Sequence, residues 1–363
     1  MPIGNTFIFN LPRAPCLFFI LQVPLVLERK NDTIKVLDLK GKGILMATLA
    51  DVAKKANVSK MTVSRVINHP DQVSDELKEL VFKAMKELDY VPNFAARALV
   101  QNRTQVIKFL ILEEIDTVEP YYMNLLTGIS RELDKHYYSL QLVTRKSKNI
   151  GSYDGLIVTG IRDEDFEIGV LDIEKPVILY GENTRGYDFI DVNNKKGTEM
   201  ATEHVIKRGF KRIVFLGIDL LEEQFMISRL AGYEETMRRH GLSPESYFLK
   251  NSSRVAEQKG IELLRYNSED IAFVCASDRI AIGVVRAGLS FGRKFGENFA
   301  VTGFDGVFLD RISSPHITTV RSPVVEMGEE LARMLLRKIN DAGAPQDNIL
   351  FEPELIVRGS TTG

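Results

Sequence analysis

The stretch NVSKMTVSRVIN, Asn57 to Asn68, sets side chains suited to nucleic-acid chemistry on one side of a helical pattern. Val63, Val66 and Ile67 recur at helical spacing and make an apolar stripe. Lys60, Met61, Thr62, Ser64 and Arg65 fall elsewhere on the helix, a mixture that no core requires. Each has a use against a duplex. An arginine forks onto guanine, a lysine reaches guanine or phosphate, and an apolar side chain lies against a thymine methyl. Threonine and serine hydroxyls suit phosphate oxygens, which set register without reading sequence. The plain alternative is an ordinary helical hairpin with a solvated outer face. Against it, Lys54, Lys55, Lys60 and Arg65 cluster, whereas the block's run of acids falls later, from Asp71 to Asp89.

The elements that must position this face are legible around it. Thr48 with Asp51 forms the pattern of a capping box, so a helix begins near Leu49, with Leu49, Val52, Ala53 and Ala56 on one apolar face. Asn57 stands at a sharp turn, because asparagine tolerates positive φ better than any residue except glycine. Val58 turns inward and Ser59 caps the next helix. A third helix, capped by Ser74 and running to Leu88, closes the small core with Leu77, Val81, Met85 and Leu88. Small Ala53 allows the first two helices to cross closely. This is the pattern of a helix-turn-helix, with its second helix offered to the major groove.

The segment TLADVAKKANVSKMTVSRVINHPDQVSDELKELVFKAMKELDYVPN resembles the headpiece of the lactose/galactose repressor family, with Asn57 where that family usually has glycine. The likeness runs from Met46 to the closing IVRGSTTG. It implies a DNA-facing set of Thr48, Ser59, Lys60, Met61, Thr62, Ser64, Arg65 and Asn68. Residues 46–92 are thus expected to be the headpiece and 93–105 a linker. In the linker, PNFAARALVQNRTQ, Pro92 ends a helix, Asn93 is a good N-cap, and Ala95, Ala96, Ala98 and Leu99 favour a short helix that is marginal alone. The residues leave a disordered tether open. The resemblance implies a hinge helix that folds on DNA, with Leu99 wedged into the minor groove and Arg97 facing phosphates.

From Val106 onward, apolar runs alternate with amphipathic helical segments at 195–208, 228–240, 254–266 and 278–290. The runs are VIKFLIL, SLQLVT, GLIVTG, PVILYG, FIDV, RIVFLG, IAFVCAS, FAVTGF and ITTVRS. Such alternation means parallel sheets covered on both faces, and the number of runs calls for two doubly wound lobes over 106–363. This core resembles a type I periplasmic sugar-binding protein. Sites in such sheets lie at the carboxyl ends of strands. The resemblance places Arg229, after RIVFLG, and Asp305, in VTGFDG, on ligand-binding positions. A guanidinium fork and a carboxylate together suit a vicinal diol. Tyr121, Tyr122, Phe225 and Phe308 are candidates for the flat wall a pyranose needs. Ser277 stands where many relatives have asparagine. The structural alternatives are an Arg229 that pairs with an acid and an Asp305 that caps the next segment.

Composition narrows the remaining classes. The formal net charge is −2, so any nucleic-acid affinity must be local. Cys16 and Cys275 are far apart and in no metal-ligand spacing, which suits a reducing compartment. The five histidines are scattered, and no nucleophile motif, glycine-rich phosphate loop or metal-spaced cluster is present, so neither an enzyme nor a cofactor or metal is expected. The first 45 residues stand apart. FIFNLPRAPCLFFILQVPLVL is broken by prolines and by Arg13, short of the roughly 20 apolar residues of a membrane helix. No small-residue cleavage site follows it; Glu28, Arg29 and Lys30 do. Residues 1–45 therefore read as a non-native or disordered extension, KGKGILM having the character of translated ribosome-binding sequence before a start at Met46. The expectation is a cytoplasmic, homodimeric regulator, a repressor of carbohydrate genes, that binds a pseudo-palindromic double-stranded operator and a small sugar and no membrane. The rivals are a sugar-binding protein without DNA function, which would not carry a helix-turn-helix, and a regulator answering to a non-sugar co-repressor such as a purine.

Overall fold

The computed structural model describes residues 26–30, 33–37, 47–68, 72–90, 103–113, 120–147, 151–168, 170–171, 174–265 and 269–362. Strands β1 (Val26–Lys30) and β2 (Thr33–Leu37) pair antiparallel. Arg97 and Leu99 lie outside the described residues, as does the side chain of Asn68.

The headpiece consists of α1 (Leu49–Lys55), α2 (Lys60–Asn68) and α3 (Asp75–Glu87). Its start is a reciprocal cap: the Thr48 hydroxyl accepts from the Asp51 N–H, and the Asp51 carboxylate accepts from the Thr48 N–H at 2.8 Å. The turn falls at Asn57, whose φ is +54°. Ser59 caps α2 by accepting from the Thr62 N–H at 3.0 Å. Ser74 stands at the N-cap of α3 but makes no side-chain capping bond. Val52, Ala53, Ala56, Val63, Val66, Ile67, Val81 and Ala84 fill the core, with Leu49, Val58, Leu77, Met85 and Leu88 packed around them.

The rest of the chain forms two lobes, each on a six-stranded sheet. The first has the order β13-β7-β6-β5-β3-β4, from β3 (Val106–Ile111), β4 (Ser139–Thr144), β5 (Gly155–Thr159), β6 (Val177–Tyr180), β7 (Phe189–Val192) and β13 (Ile349–Phe351). The second has the order β14-β12-β11-β10-β8-β9, from β8 (Arg212–Ile218), β9 (Glu245–Leu249), β10 (Ile271–Cys275), β11 (Phe299–Asp305), β12 (Thr318–Arg321) and β14 (Glu354–Ile356). Pairing is parallel throughout except β12 with β14. Strands β5, β6, β7 and β10 are buried along their whole length, as parallel strands covered on both faces must be.

Helices α4 (Tyr121–Lys135), α5 (Asp163–Glu167) and α11 (Val324–Asn340) belong to the first lobe. The second carries α6 (Asn194–Lys207), α7 (Gln224–Arg239), α8 (Ser253–Leu264), α9 (Asp278–Ser290), α10 (Leu309–Ile312) and α12 (Gly359–Thr362). The chain passes between lobes after β7, after β12 and after β13, and these passages are stitched to one another and to the sheets. The Asn193 N–H donates to the Phe351 carbonyl at 2.8 Å, and the Ser322 N–H donates to the Asp305 carbonyl at 3.1 Å. The carboxyl ends of both sheets thus meet the passages, where such folds place ligands.

Candidate functional site

Two sites emerge, one in each unit of the chain. On the headpiece, Lys60 and Arg65 are exposed on α2, which has no acid in its first turn. Met61 is 71 % exposed, an unusual setting for so large an apolar side chain. Ser64 and Thr62 are half-buried beside them. The hydroxyls of Ser59 and Thr62 lie 2.8 Å apart, so both serve the cap as well as the outer face. Thr48 is bound to Asp51, and its hydrogen bonds hold that carboxyl below the usual range. Lys55 pairs with Glu87 at 2.9 Å, which ties α1 to the end of α3.

In the core, Arg229 is the centre. It projects from α7, 7 % exposed, with Nε donating to Asn194 Oδ1 at 2.8 Å and Nη1 to the Ala276 carbonyl at 2.5 Å. Its guanidinium lies 3.6 Å from the centroid of the Phe304 ring and 5.3 Å from that of Phe225. Nη2 faces Asp305 Oδ1 at 3.8 Å, near enough to attract and too far for a direct hydrogen bond. Asp305 closes β11 with φ +106°, a backbone geometry that costs a non-glycine residue about 1–3 kcal/mol.

The first lobe supplies the opposing wall. The hydroxyls of Tyr121 and Tyr180 are 2.5 Å apart, and Tyr122 packs edge-on to Tyr121 at 5.8 Å between centroids. Tyr122 donates to Glu113 Oε1. Burial, with the charge of Asp305 second, raises the Tyr121 hydroxyl above its usual range, and Asp191 and Arg229 are also in electrostatic reach. Polar contacts span the lobes: Ser228 donates to Glu182 Oε2 at 3.3 Å, and Arg162 stands 3.6 Å from Glu223.

Arg229, Asp305, Tyr121 and Phe225 therefore converge. Ser277 is adjacent through Ala276, yet its buried hydroxyl caps α9, accepting from the Ile280 N–H at 3.2 Å and donating to Asn251 at 2.8 Å. Phe308 lies exposed at the N-cap of α10. Residues that were not singled out in the sequence complete the site. Asn194 holds Arg229. Asp191, buried, accepts from the Glu182 and Val192 N–H groups and from the Asn194 amide, and burial pushes its carboxyl up. Asp278, also buried, has its carboxyl pushed up by burial and then by Asp305. The end of FIDV was a signal for Asp191 and Asn194, since both stand at a strand's carboxyl end.

A cavity of about 500 Å³ lies elsewhere, at the amino ends of the first sheet, lined by Arg103, Asp154, Lys175, Tyr187 and Lys338 among others. Two of its charges have partners: Asp154 accepts from the Thr104 and Gln105 N–H groups, and Lys338 pairs with Asp188 at 2.5 Å. Among the described residues, no group of three His, Cys, Asp or Glu could hold a metal, and no helix is long and apolar enough to cross a membrane.

Residues 48–93 match the bacterial regulatory proteins of the lacI family, and residues 202–361 match the periplasmic binding protein-like domain. The HTH-type transcriptional regulator YvdE of Bacillus subtilis (strain 168) is 63% identical over 316 residues, 87% of this chain and 100% of that protein. The HTH-type transcriptional regulator CelR of Thermobifida fusca is 31% identical over 86% of this chain and 98% of its own. Among solved structures, a CelR–cellobiose complex has a TM-score of 0.64 at 27% identity, covering 86% of this chain and 99% of the other. The lac repressor dimer bound to operator and the anti-inducer ONPF has a TM-score of 0.66 at 24% identity, covering 88% and 100%, and bears on the fold.

Proposed function

This chain belongs to the lacI family of bacterial regulatory proteins and is a DNA-binding transcriptional regulator, and from that premise we propose that it is a homodimeric repressor of carbohydrate genes, released from or held on its operator by a small saccharide between the lobes. The observation that carries this reading is the Arg229–Asp305 pair, set 3.8 Å apart at the carboxyl ends of the second sheet. Arg229 Nη2 would donate to a sugar oxygen while the Asp305 carboxylate accepts from two neighbouring hydroxyls. Tyr121 and Phe225 would supply the apolar wall. That the solved CelR structure holds cellobiose supports a saccharide as the ligand class.

On the headpiece, Arg65 and Lys60 are proposed to read base edges, with Met61 against a thymine methyl and Thr62, Ser64, Ser59, Thr48 and Asn68 toward the backbone. Arg97 and Leu99 are proposed to engage phosphates and the minor groove. Two such headpieces on one two-fold axis require a dimer and an operator of matching symmetry. Mobility shifts on the gene's own upstream region, with and without a panel of neutral saccharides that includes cellobiose, test the reading. A saturable shift altered by at least one saccharide is expected. No specific shift, or a shift that no saccharide alters, overturns it.

A further inference from the structure

We propose that Asp278 is the positioning residue of the cleft: it fixes the Asp305–Gly306 turn, and with it the direction of the Asp305 carboxylate, and so sets effector affinity without touching the effector. The inference rests on the reading of Asp305 as an effector ligand. Asp278 opens α9 and is 1 % exposed. Its Oδ2 accepts from the Gly306 N–H at 2.9 Å, and its Oδ1 accepts from the buried Thr319 hydroxyl of β12 at 2.6 Å. One carboxylate thus ties α9 to the turn that follows β11 and to the neighbouring strand.

That turn has little reason to persist unaided. Asp305 sits at φ +106° and Gly306 at +66°, so a residue with a side chain occupies a region that favours glycine. A Cβ on Gly306 would come within 2.8 Å of Arg321 Cα, so the turn is already pressed against β12. The Asp305–Gly306 peptide is held on both sides: the Ser322 N–H donates to its carbonyl, and Asp278 accepts from its N–H. Room for the carboxylate is made by Gly303, where a Cβ would stand 2.2 Å from Asp278 Oδ1. A glycine in β11, a buried acid at the head of α9 and a threonine in β12 therefore all serve one turn. Filling a core needs none of this polarity, since an apolar residue would fill the space without burying a carboxyl. What an apolar residue lacks is an acceptor for the Gly306 N–H, and a buried donor without a partner favours rearrangement of the turn that bears it.

The test compares Asp278→Asn with Asp278→Leu. The amide can turn its carbonyl to Gly306 and its NH2 to Thr319, whose hydroxyl then accepts; leucine can do neither. Titration calorimetry uses the tightest-binding member of a panel of neutral mono- and disaccharides, cellobiose among them. Asp278→Leu is expected to weaken that saccharide by at least about tenfold, with operator affinity within about twofold, whereas Asp278→Asn stays within about threefold of wild type. Crystals of the leucine variant are expected to show Asp305 relaxed to negative φ. Unchanged saccharide affinity in Asp278→Leu overturns the proposal, as does an equal loss of saccharide and operator affinity, the mark of a general loss of fold. If no saccharide binds wild type, the saccharide reading fails and the crystal structure decides alone: Asp305 still at positive φ in the leucine variant sinks the positioning role. Should the leucine variant not fold, Thr319→Val replaces it. A loss of about threefold or more supports the proposal, and unchanged affinity with Asp305 in place refutes it.

Discussion

At the scale of single residues, two arginines carry most of what can be tested, and they sit in opposite surroundings. Arg65 is exposed on α2, so replacing it removes a contact without disturbing a core. Arg65→Ala should cost about 1–3 kcal/mol on the operator and little on random DNA. Equal losses on both, in titrations at one salt concentration, would assign Arg65 to phosphate instead. Arg229 is buried and bound to Asn194 and Ala276, so its removal leaves polar groups without a partner. Arg229→Ala should therefore lower stability as well as abolish the saccharide response. Asp305→Ala is the second probe: saccharide binding should vanish in calorimetry while operator binding holds. Saccharide affinity left intact in Asp305→Ala would remove Asp305 from the site.

At the scale of elements, local capping and close helix packing hold the two sites in place. The box of Thr48 and Asp51 starts α1, against which α2 is braced. Thr48→Ala should cost the headpiece about 1 kcal/mol, seen as an earlier loss of helical signal on heating. In the first lobe, α4 and α11 touch where Gly128 and Gly328 face one another; a Cβ on Gly328 would lie 2.4 Å from the Leu125 carbonyl. Gly328→Ala should destabilise the core by about 1–3 kcal/mol in urea unfolding. Asp165 gives the same lobe an acid-sensitive tie. Its carboxylate accepts from Arg145 Nη1 and Nη2, at 2.5 and 2.8 Å, and that pairing holds its carboxyl below the usual range. A lowered folded-state value stabilises fully above the unfolded value of about 3.9 and is lost as pH falls through the folded one. Asp165→Asn should flatten the decline in urea midpoint below about pH 4, and an unchanged slope there would discount the pair.

At the scale of the whole molecule, the net charge of −2 and the basic outer face of the headpiece make DNA binding a local electrostatic event. Affinity should fall steeply with salt, because phosphate contacts release counterions. We propose that coupling between the proposed sites passes through residues 93–105. A saccharide that favours one arrangement of the lobes can bias the linker by its differential affinity, typically about 1–3 kcal/mol. Leu99→Ala should then weaken operator binding and reduce DNA bending while leaving saccharide affinity in the absence of DNA unchanged. Bending equal to wild type in a gel-phasing measurement would make the linker a passive tether.

Features that depend on neighbours along the chain were readable from the residues alone. The Asn57 turn, the Thr48 box and the Ser59 cap each rest on hydrogen bonds within a few positions. The strands named from apolar runs all form; β5, β6, β7 and β10 are buried on both faces and so are apolar along their length, whereas edge strand β4 is mostly exposed. Edge strand β9 escaped notice since half-exposed ESYFL mixes polar and aromatic residues, and β13 and β14 are too short to leave a pattern. Ser277 showed its type and its place but not its duty, since the tertiary structure turns its hydroxyl to α9 and Asn251. Arg229 and Asp305 were located one by one, but the contacts that orient them come from Asn194, Ala276, Asp278 and Ser322. Those partners lie far in sequence from the residue each one orients, and only the fold of the second lobe with the crossing segments brings them together, so no local period or motif could announce them.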